Sequence, residues 1–248
     1  MRPVRGLAIL HAVMSAIVLW LGYYWLGIGE TRAATLLWSA LIAVIVAGLG
    51  CWTYGASLAF FDAGQDRRVS AAWKAALRNL FPLAVAAVAV GFIYYLLSIW
   101  DDYSSHPASQ IASYFTLKLR KPVRPSSVLR VFRFVLGVVQ WVALPVLLLP
   151  MVAAISSHGW RGFQSAGALA RKGLYWIQAP LLLLTALWAP LEILGWIPRV
   201  HSFGLEAASF TVRALIAYLL FVTAWLVLAF VTSGGTPRFT QSKTADSP

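Results

Sequence analysis

The sequence predicts an all-α polytopic membrane helix bundle, with six transmembrane helices and two cytoplasmic interfacial amphipathic helices in a degenerate internal repeat. Three observations carry this expectation. Of the 248 residues, 60% are hydrophobic and only 11% are charged, less than half the charge of about 25% usual in a soluble domain. Mean hydropathy is +0.75, and six apolar stretches reach the roughly 20 residues that a bilayer-crossing helix needs. The charge is also one-signed, with 20 Lys+Arg against 8 Asp+Glu and a net +12. Such a composition excludes an ordinary water-soluble enzyme and a disordered tail. The single cysteine, Cys51, excludes a disulfide framework and a cysteine-based zinc site.

The expected spans run from about residue 7 to 27, 33 to 61, 81 to 100, 131 to 155, 175 to 197 and 210 to 231. The first follows a basic stretch, Met1-Arg2-Pro3-Val4-Arg5, but it is too long for a signal-peptide core. It also ends in Gly22-Tyr23-Tyr24-Trp25 rather than small residues, so it reads as an uncleaved anchor. Residues 1–232 are expected to form one integral membrane domain, and 233–248 a flexible cytoplasmic tail. Trp20, Tyr23, Tyr24, Trp25, Trp38, Trp100 and Trp196 fall near one set of helix ends, and Trp73, Trp160 and Trp176 near the other. An interfacial belt accounts for them; a ligand-binding aromatic box is the alternative.

Orientation follows the asymmetry of Lys and Arg. Eleven lie on one side (Arg2, Arg5, Arg67, Arg68, Lys74, Arg78, Arg161, Arg171, Lys172, Arg238 and Lys243). Nine lie on the other, six of them in the single segment from Lys118 to Arg133. Both termini are therefore expected to be cytoplasmic.

Between the second and third spans, Val69, Ala72, Trp73, Ala76, Leu77 and Leu80 recur at helical spacing opposite Arg67, Lys74 and Arg78. That pattern predicts a helix lying in the membrane interface. Residues 76–81 overlay on 170–175 with a shift of 94, and each copy opens with a Gly (Gly64, Gly159) and leads into a span with an early Pro (Pro82, Pro180). This unit of span, interfacial helix and span resembles bacterial six-span inner-membrane families that include YciC-like proteins. It is also similar to the membrane domain accompanying some glycerophosphodiester phosphodiesterases. The likeness covers about residues 55–100 and 150–195. It implies a multi-pass protein of the bacterial plasma (inner) membrane and carries over no catalytic residue.

Several residues stand out as candidate sites. Ala47, Cys51 and Gly55 form a small-residue stripe in the second span, and Ala87 and Gly91 form one in the third, suiting helix packing or a homo-oligomer contact. Pro145, Pro150, Pro180 and Pro190 predict kinks in the fourth and fifth spans. Glu192 and Arg213 lie at similar depth and are expected to pair across the fifth and sixth spans; a proton- or ion-handling role is the alternative. His11, Ser15 and Gln140 are expected to hydrogen-bond between helices. Asp101, Asp102, His106, His201 and Glu206 are of metal-ligating type, but their spacing resembles no metal motif, and solvated loop residues explain them. No metal and no cofactor is expected.

The segment before the fourth span is the anomaly, because it places six basic residues where few are expected. Phe115 to Arg120 alternates apolar and polar with a period of two, Pro122 and Pro125 keep their predecessors extended, and Ser126 or Ser127 offers an N-cap. An extended cationic strip follows, with Lys118, Arg120, Lys121, Arg124 and Arg130 contacting anionic lipid headgroups or an acidic partner. A nucleic-acid partner is not expected there. With no P-loop, dinucleotide-binding glycine pattern or nucleophile elbow, the expected function is non-catalytic. A scaffold, assembly factor or accessory subunit working through lipids and a membrane-protein partner fits best; a small-molecule or lipid transporter or channel is the alternative.

Overall fold

The computed structural model describes residues 2–29, 31–62, 68–164, 173–197 and 202–233. Among them there are helices and no strands: α1 (Arg2–Leu26), α2 (Ala33–Asp62), α3 (Val69–Arg78), α4 (Leu80–Tyr103), α5 (Ser105–Leu119), α6 (Pro125–Val138), a π-helical turn (Val139–Ala143), α7 (Leu144–His158), α8 (Tyr175–Gly195) and α9 (Phe203–Ser233). Six continuous helical stretches are long and apolar enough to cross a membrane, namely α1, α2, α4, the run from α6 through α7, α8 and α9. Each expected span falls within one of them apart from a residue or two at its ends. The fourth departs most, because the helix begins at Pro125 and continues to Gln164.

The chain divides into two compact units, Met1–Ala84 with Leu149–Pro248, and Val85–Leu148. In the first unit α1, α2 and α9 pack on one another, and α8 packs on α9. The seam of these helices is partly polar. His11, Ser15, Thr53 and Ser57 are each at most 1% exposed. The His11 ring meets Tyr54 edge-on at 5.2 Å, Tyr54 meets Trp225 at 4.8 Å, and the Trp225 indole donates to Ser57 Oγ at 2.8 Å. The Tyr218 hydroxyl donates to the Ala12 carbonyl.

Helix α3 carries the predicted amphipathic pattern, with Lys74 and Arg78 exposed and Ala72, Trp73 and Ala76 buried. On its apolar face Trp73 and Ala76 meet protein, while Leu77 stays exposed. That indole packs edge-on against Trp52 at 4.9 Å, and Trp52 Nε1 donates to the Trp73 carbonyl at 3.0 Å. The approach is possible because α2 is small at this level: a Cβ on Gly55 would come within 2.8 Å of Leu83 Cδ1 and near Ala76. Gly55 is thus the member of the small-residue stripe that admits a neighbour, while Ala47, Ala87 and Gly91 are exposed. Arg67 and Gly64 lie outside the described residues, as do residues 165–172, most of the expected second amphipathic segment, and 234–248, nearly all of the expected tail.

Asn79 joins α3 to α4. Its backbone N–H closes α3 onto the Ala75 carbonyl and its carbonyl accepts from Leu83 N. Its buried side chain donates from Nδ2 to the Ser156 carbonyl at 3.0 Å. That carbonyl is one of the last in α7, where no intrahelical donor follows, because Gly159 turns the chain at φ +63°. A Cβ on Gly159 would lie 2.8 Å from Asn79 Oδ1, and one on Gly162 would lie 2.4 Å from Ile155 N. Gly159→Ala and Gly162→Ala are each expected to destabilise the protein by about 2 kcal/mol or more. Gly137→Ala, where a Cβ has open space, should be neutral or stabilising by up to about 1 kcal/mol. Detergent-titrated unfolding followed by circular dichroism measures all three.

In the second unit, Pro145 sets the geometry. The π turn routes the Leu144 N–H to the Val139 carbonyl, so the Gln140 carbonyl would have to accept from residue 145, and proline has no N–H. Tyr94 on α4 fills the gap, its hydroxyl donating to the Gln140 carbonyl at 2.5 Å. The cross-helix bond expected of the Gln140 side chain is therefore made by its backbone. Tyr94→Phe should cost about 1–3 kcal/mol by stranding that carbonyl. The loss should shrink in a Pro145→Ala background, where residue 145 regains a donor; a double-mutant cycle of unfolding free energies tests it.

Candidate functional site

The basic segment of the second unit is a helical hairpin, not an extended strip. Residues 115–119 belong to α5, whose buried residues Ala108 and Ala112 lie four apart on one face, while α5 packs on α6. A period-two alternation over six residues is too short to outweigh that helical stripe. Between α5 and α6 only residues 120–124 lack helix. Arg120 ends α5 in the left-handed conformation at φ 52°, and Arg124 is extended at φ −75°, ψ 130°, as the residue before Pro125 must be. The expected serine N-cap is also corrected. Arg124 occupies that position without a side-chain cap, and Pro125 opens α6, where its fixed φ suits the first helical turn. Thr116 holds the turn, accepting from Val123 N at 3.0 Å while donating to the Ala112 carbonyl at 2.8 Å.

This arrangement gathers Lys118, Arg120, Lys121 and Arg124 around one turn, with Arg130 one and a half helical turns along α6. All five are exposed. Lys118 Nζ lies 5.7 Å from the Tyr114 ring centroid. Arg133 Nε meets Asp101 Oδ1 at 3.7 Å, an exposed pair. Tyr114, Phe115, Leu117, Leu119, Val131, Phe134 and Val135 are exposed beside them, and α6 buries no residue. Cationic heads above an uncovered apolar surface are the chemistry of an amphipathic membrane-contact element.

The residues of metal-ligating type are not brought into a site. Asp101 is paired with Arg133, and Asp102 and His106 are exposed. Glu206 lies in the first turn of α9, and His201 lies outside the described residues. Among the described residues no three His, Cys, Asp or Glu converge.

Comparison with family models, curated proteins and solved structures finds no match in any of the three.

The expected Glu192–Arg213 pair is corrected as well. Arg213 is buried and does reach α8, but its guanidinium donates to the Leu194 carbonyl at 3.2 Å and to the Trp196 carbonyl, and its Nε to Ser209 O at 3.3 Å. The rings of Trp196 and Phe210 lie 6.0 and 5.9 Å from its Cζ. Glu192 is exposed, and among the described residues no ion pair joins it to Arg213. The reason is the helix end. The last carbonyls of α8 carry partial negative charge and lack intrahelical donors, and a guanidinium with five N–H groups can serve several at once. Residue spacing alone cannot show this, because depth matches for the carboxylate and for the carbonyls a turn beyond it. Tyr94 and Asn79, missed as cross-helix donors, had a weaker signal. Pro145 stands five residues after Gln140, and Gly159 follows three residues after Ser156. Arg213→Ala should destabilise the protein by about 2 kcal/mol or more, with Glu192→Gln within about 0.5 kcal/mol of the parent. Thermal unfolding of the two variants separates carbonyl capping from ion pairing.

Proposed function

We propose that this is a non-catalytic membrane protein, a scaffold, assembly factor or accessory subunit that acts by binding anionic lipid headgroups and a membrane-protein partner. The observation that carries the reading is the α5–α6 hairpin, with four exposed basic side chains about its turn, a fifth along α6, and an apolar surface left uncovered beside them. Each Lys or Arg near an anionic surface contributes about 1 kcal/mol, so their clustering matters more than any one contact. The resemblance of the span–amphipathic helix–span unit supports a bacterial inner membrane as its location. The Lys and Arg asymmetry supports cytoplasmic termini, with the hairpin on the opposite side. A second copy of the chain is one candidate partner.

The reading is tested by extracting the full chain from membranes containing phosphatidylglycerol and measuring retained lipid by native mass spectrometry. Bound anionic lipid should fall at least severalfold when Lys118, Arg120, Lys121, Arg124 and Arg130 are all replaced by Gln, and should fall with rising salt in the parent. Retention unchanged in the variant would sink the lipid reading. Solute flux through proteoliposomes would replace the scaffold by a transporter or channel.

A further inference from the structure

A second surface differs from the basic hairpin in both place and chemistry. Where α1 ends and α2 begins, an open cavity of about 690 Å³ is lined by Trp20, Tyr23, Tyr24, Leu26, Gly27, Ile28 and Trp38. Among the described residues none that lines it is charged. The Trp20 and Tyr24 rings lie nearly parallel, with centroids 6.5 Å apart and planes 22° apart, so they form one aromatic wall. Trp38 Nε1 donates to the Tyr24 hydroxyl at 3.2 Å, which ties that wall to α2. Next to it Trp25 Nε1 donates to Ser39 Oγ at 2.9 Å. Two successive hydrogen bonds between α1 and α2 therefore hold the aromatic residues in place. The chain leaves α1 by tight turns, Gly27 N to Tyr24 O and Ile28 N to Trp25 O, each 3.1 Å, and Gly27 and Ile28 are among the lining residues.

We infer that this aromatic cavity binds a quaternary ammonium group. Aromatic faces carry negative quadrupole potential and attract a cation without a carboxylate. Among the described lining residues the side-chain acceptors are two phenol oxygens, of which that of Tyr24 already accepts from Trp38, so aromatic rings make up most of the side-chain surface that a cation would meet. A trimethylammonium has no N–H to satisfy and presents methyl groups that fit an apolar lining. The bonds from Trp38 to Tyr24 and from Trp25 to Ser39 fix these rings between α1 and α2, which a belt read from position alone does not specify. The ammonium can come from a choline lipid headgroup or from a free solute, since both present the same group. This site is independent of the anionic-lipid surface and calls for a ligand charge of opposite sign.

The test uses the purified full chain in maltoside detergent and choline chloride as the probe, with binding read by saturation-transfer NMR of the choline methyl protons. The neutral isostere 3,3-dimethylbutan-1-ol serves as competitor. Choline should bind at least about fivefold more tightly than the isostere, a ratio within the range of cation–π attraction. Trp20→Leu and Trp38→Leu should each weaken choline binding by about fivefold or more, Trp20→Phe should retain part of it, and Trp100→Leu and Trp196→Leu should leave it unchanged. Circular dichroism confirms that each variant is folded, and Trp20→Phe keeps the test decisive if a leucine variant is not. Equal affinity for choline and its isostere would overturn the inference, as would undiminished choline binding in folded Trp20→Leu and Trp38→Leu proteins. In nanodiscs, loss of the choline signal with phosphatidylcholine but not phosphatidylglycerol identifies the headgroup as the source. Persistence of the signal in both identifies a free solute, and either result sustains the ammonium site.

Discussion

Backbone carbonyls without a helical donor organise this protein. In hydrocarbon no water can satisfy them, and each one stranded in a buried place costs about 1–3 kcal/mol. The chain creates them at three breaks: the end of α7, the end of α8, and the π turn before Pro145. At each, a side chain from another helix supplies the missing hydrogen. Asn79 serves Ser156, Arg213 serves Leu194 and Trp196, and Tyr94 serves Gln140. A neutral amide, a cation and a phenol thus do one job, and the identity of each follows its distance and setting. The amide works in a tight buried joint. The long guanidinium reaches several carbonyls at a helix end, and the phenol reaches across from a neighbouring span.

The same constraint explains why close packing is confined to a few places. Gly55, Gly159 and Gly162 sit where an added methyl would strike a neighbour, and two of them flank the Asn79 joint. By contrast Ala47, Ala87 and Gly91, small residues of the expected stripes, face outward. Small size alone therefore does not define an interface. It matters where a helix end must come near enough for a side chain to reach a carbonyl. The edge-on chain from His11 through Tyr54 to Trp225, with Ser57 accepting at its end, shows the complementary pattern, in which buried polar groups are placed among aromatic rings inside the first unit.

The residues of the candidate functional surfaces take no part in these joints. At the α5–α6 turn the basic residues are exposed and, apart from Arg133, unpaired with acids among the described residues. The α1–α2 end offers an uncharged aromatic wall instead. The basic cluster was legible residue by residue, because Lys118, Arg120, Lys121, Arg124 and Arg130 are adjacent in the chain. Its shape was not, because the six-residue alternation of Phe115 to Arg120 hid the Ala108–Ala112 helical face. Trp20, Tyr23, Tyr24 and Trp38 were visible as a belt, but their union in one cavity depends on hydrogen bonds between residues 14 apart.

By itself the sequence determined the all-helical membrane class, the number and approximate limits of the spans, the amphipathic pattern of α3 and the location of the excess charge. These follow from local hydropathy and periodicity, which are summed over windows of a helix and tolerate errors at single residues. The tertiary structure alone decided the partner of Arg213, the donor to Gln140, the burial of Trp73 against α2, and the helical hairpin in place of a strip. Those outcomes turn on which carbonyl is left without a donor and which side chain from another helix can reach it. That is a matter of ångström-scale geometry between distant segments, and hydropathy along the chain carries no record of it.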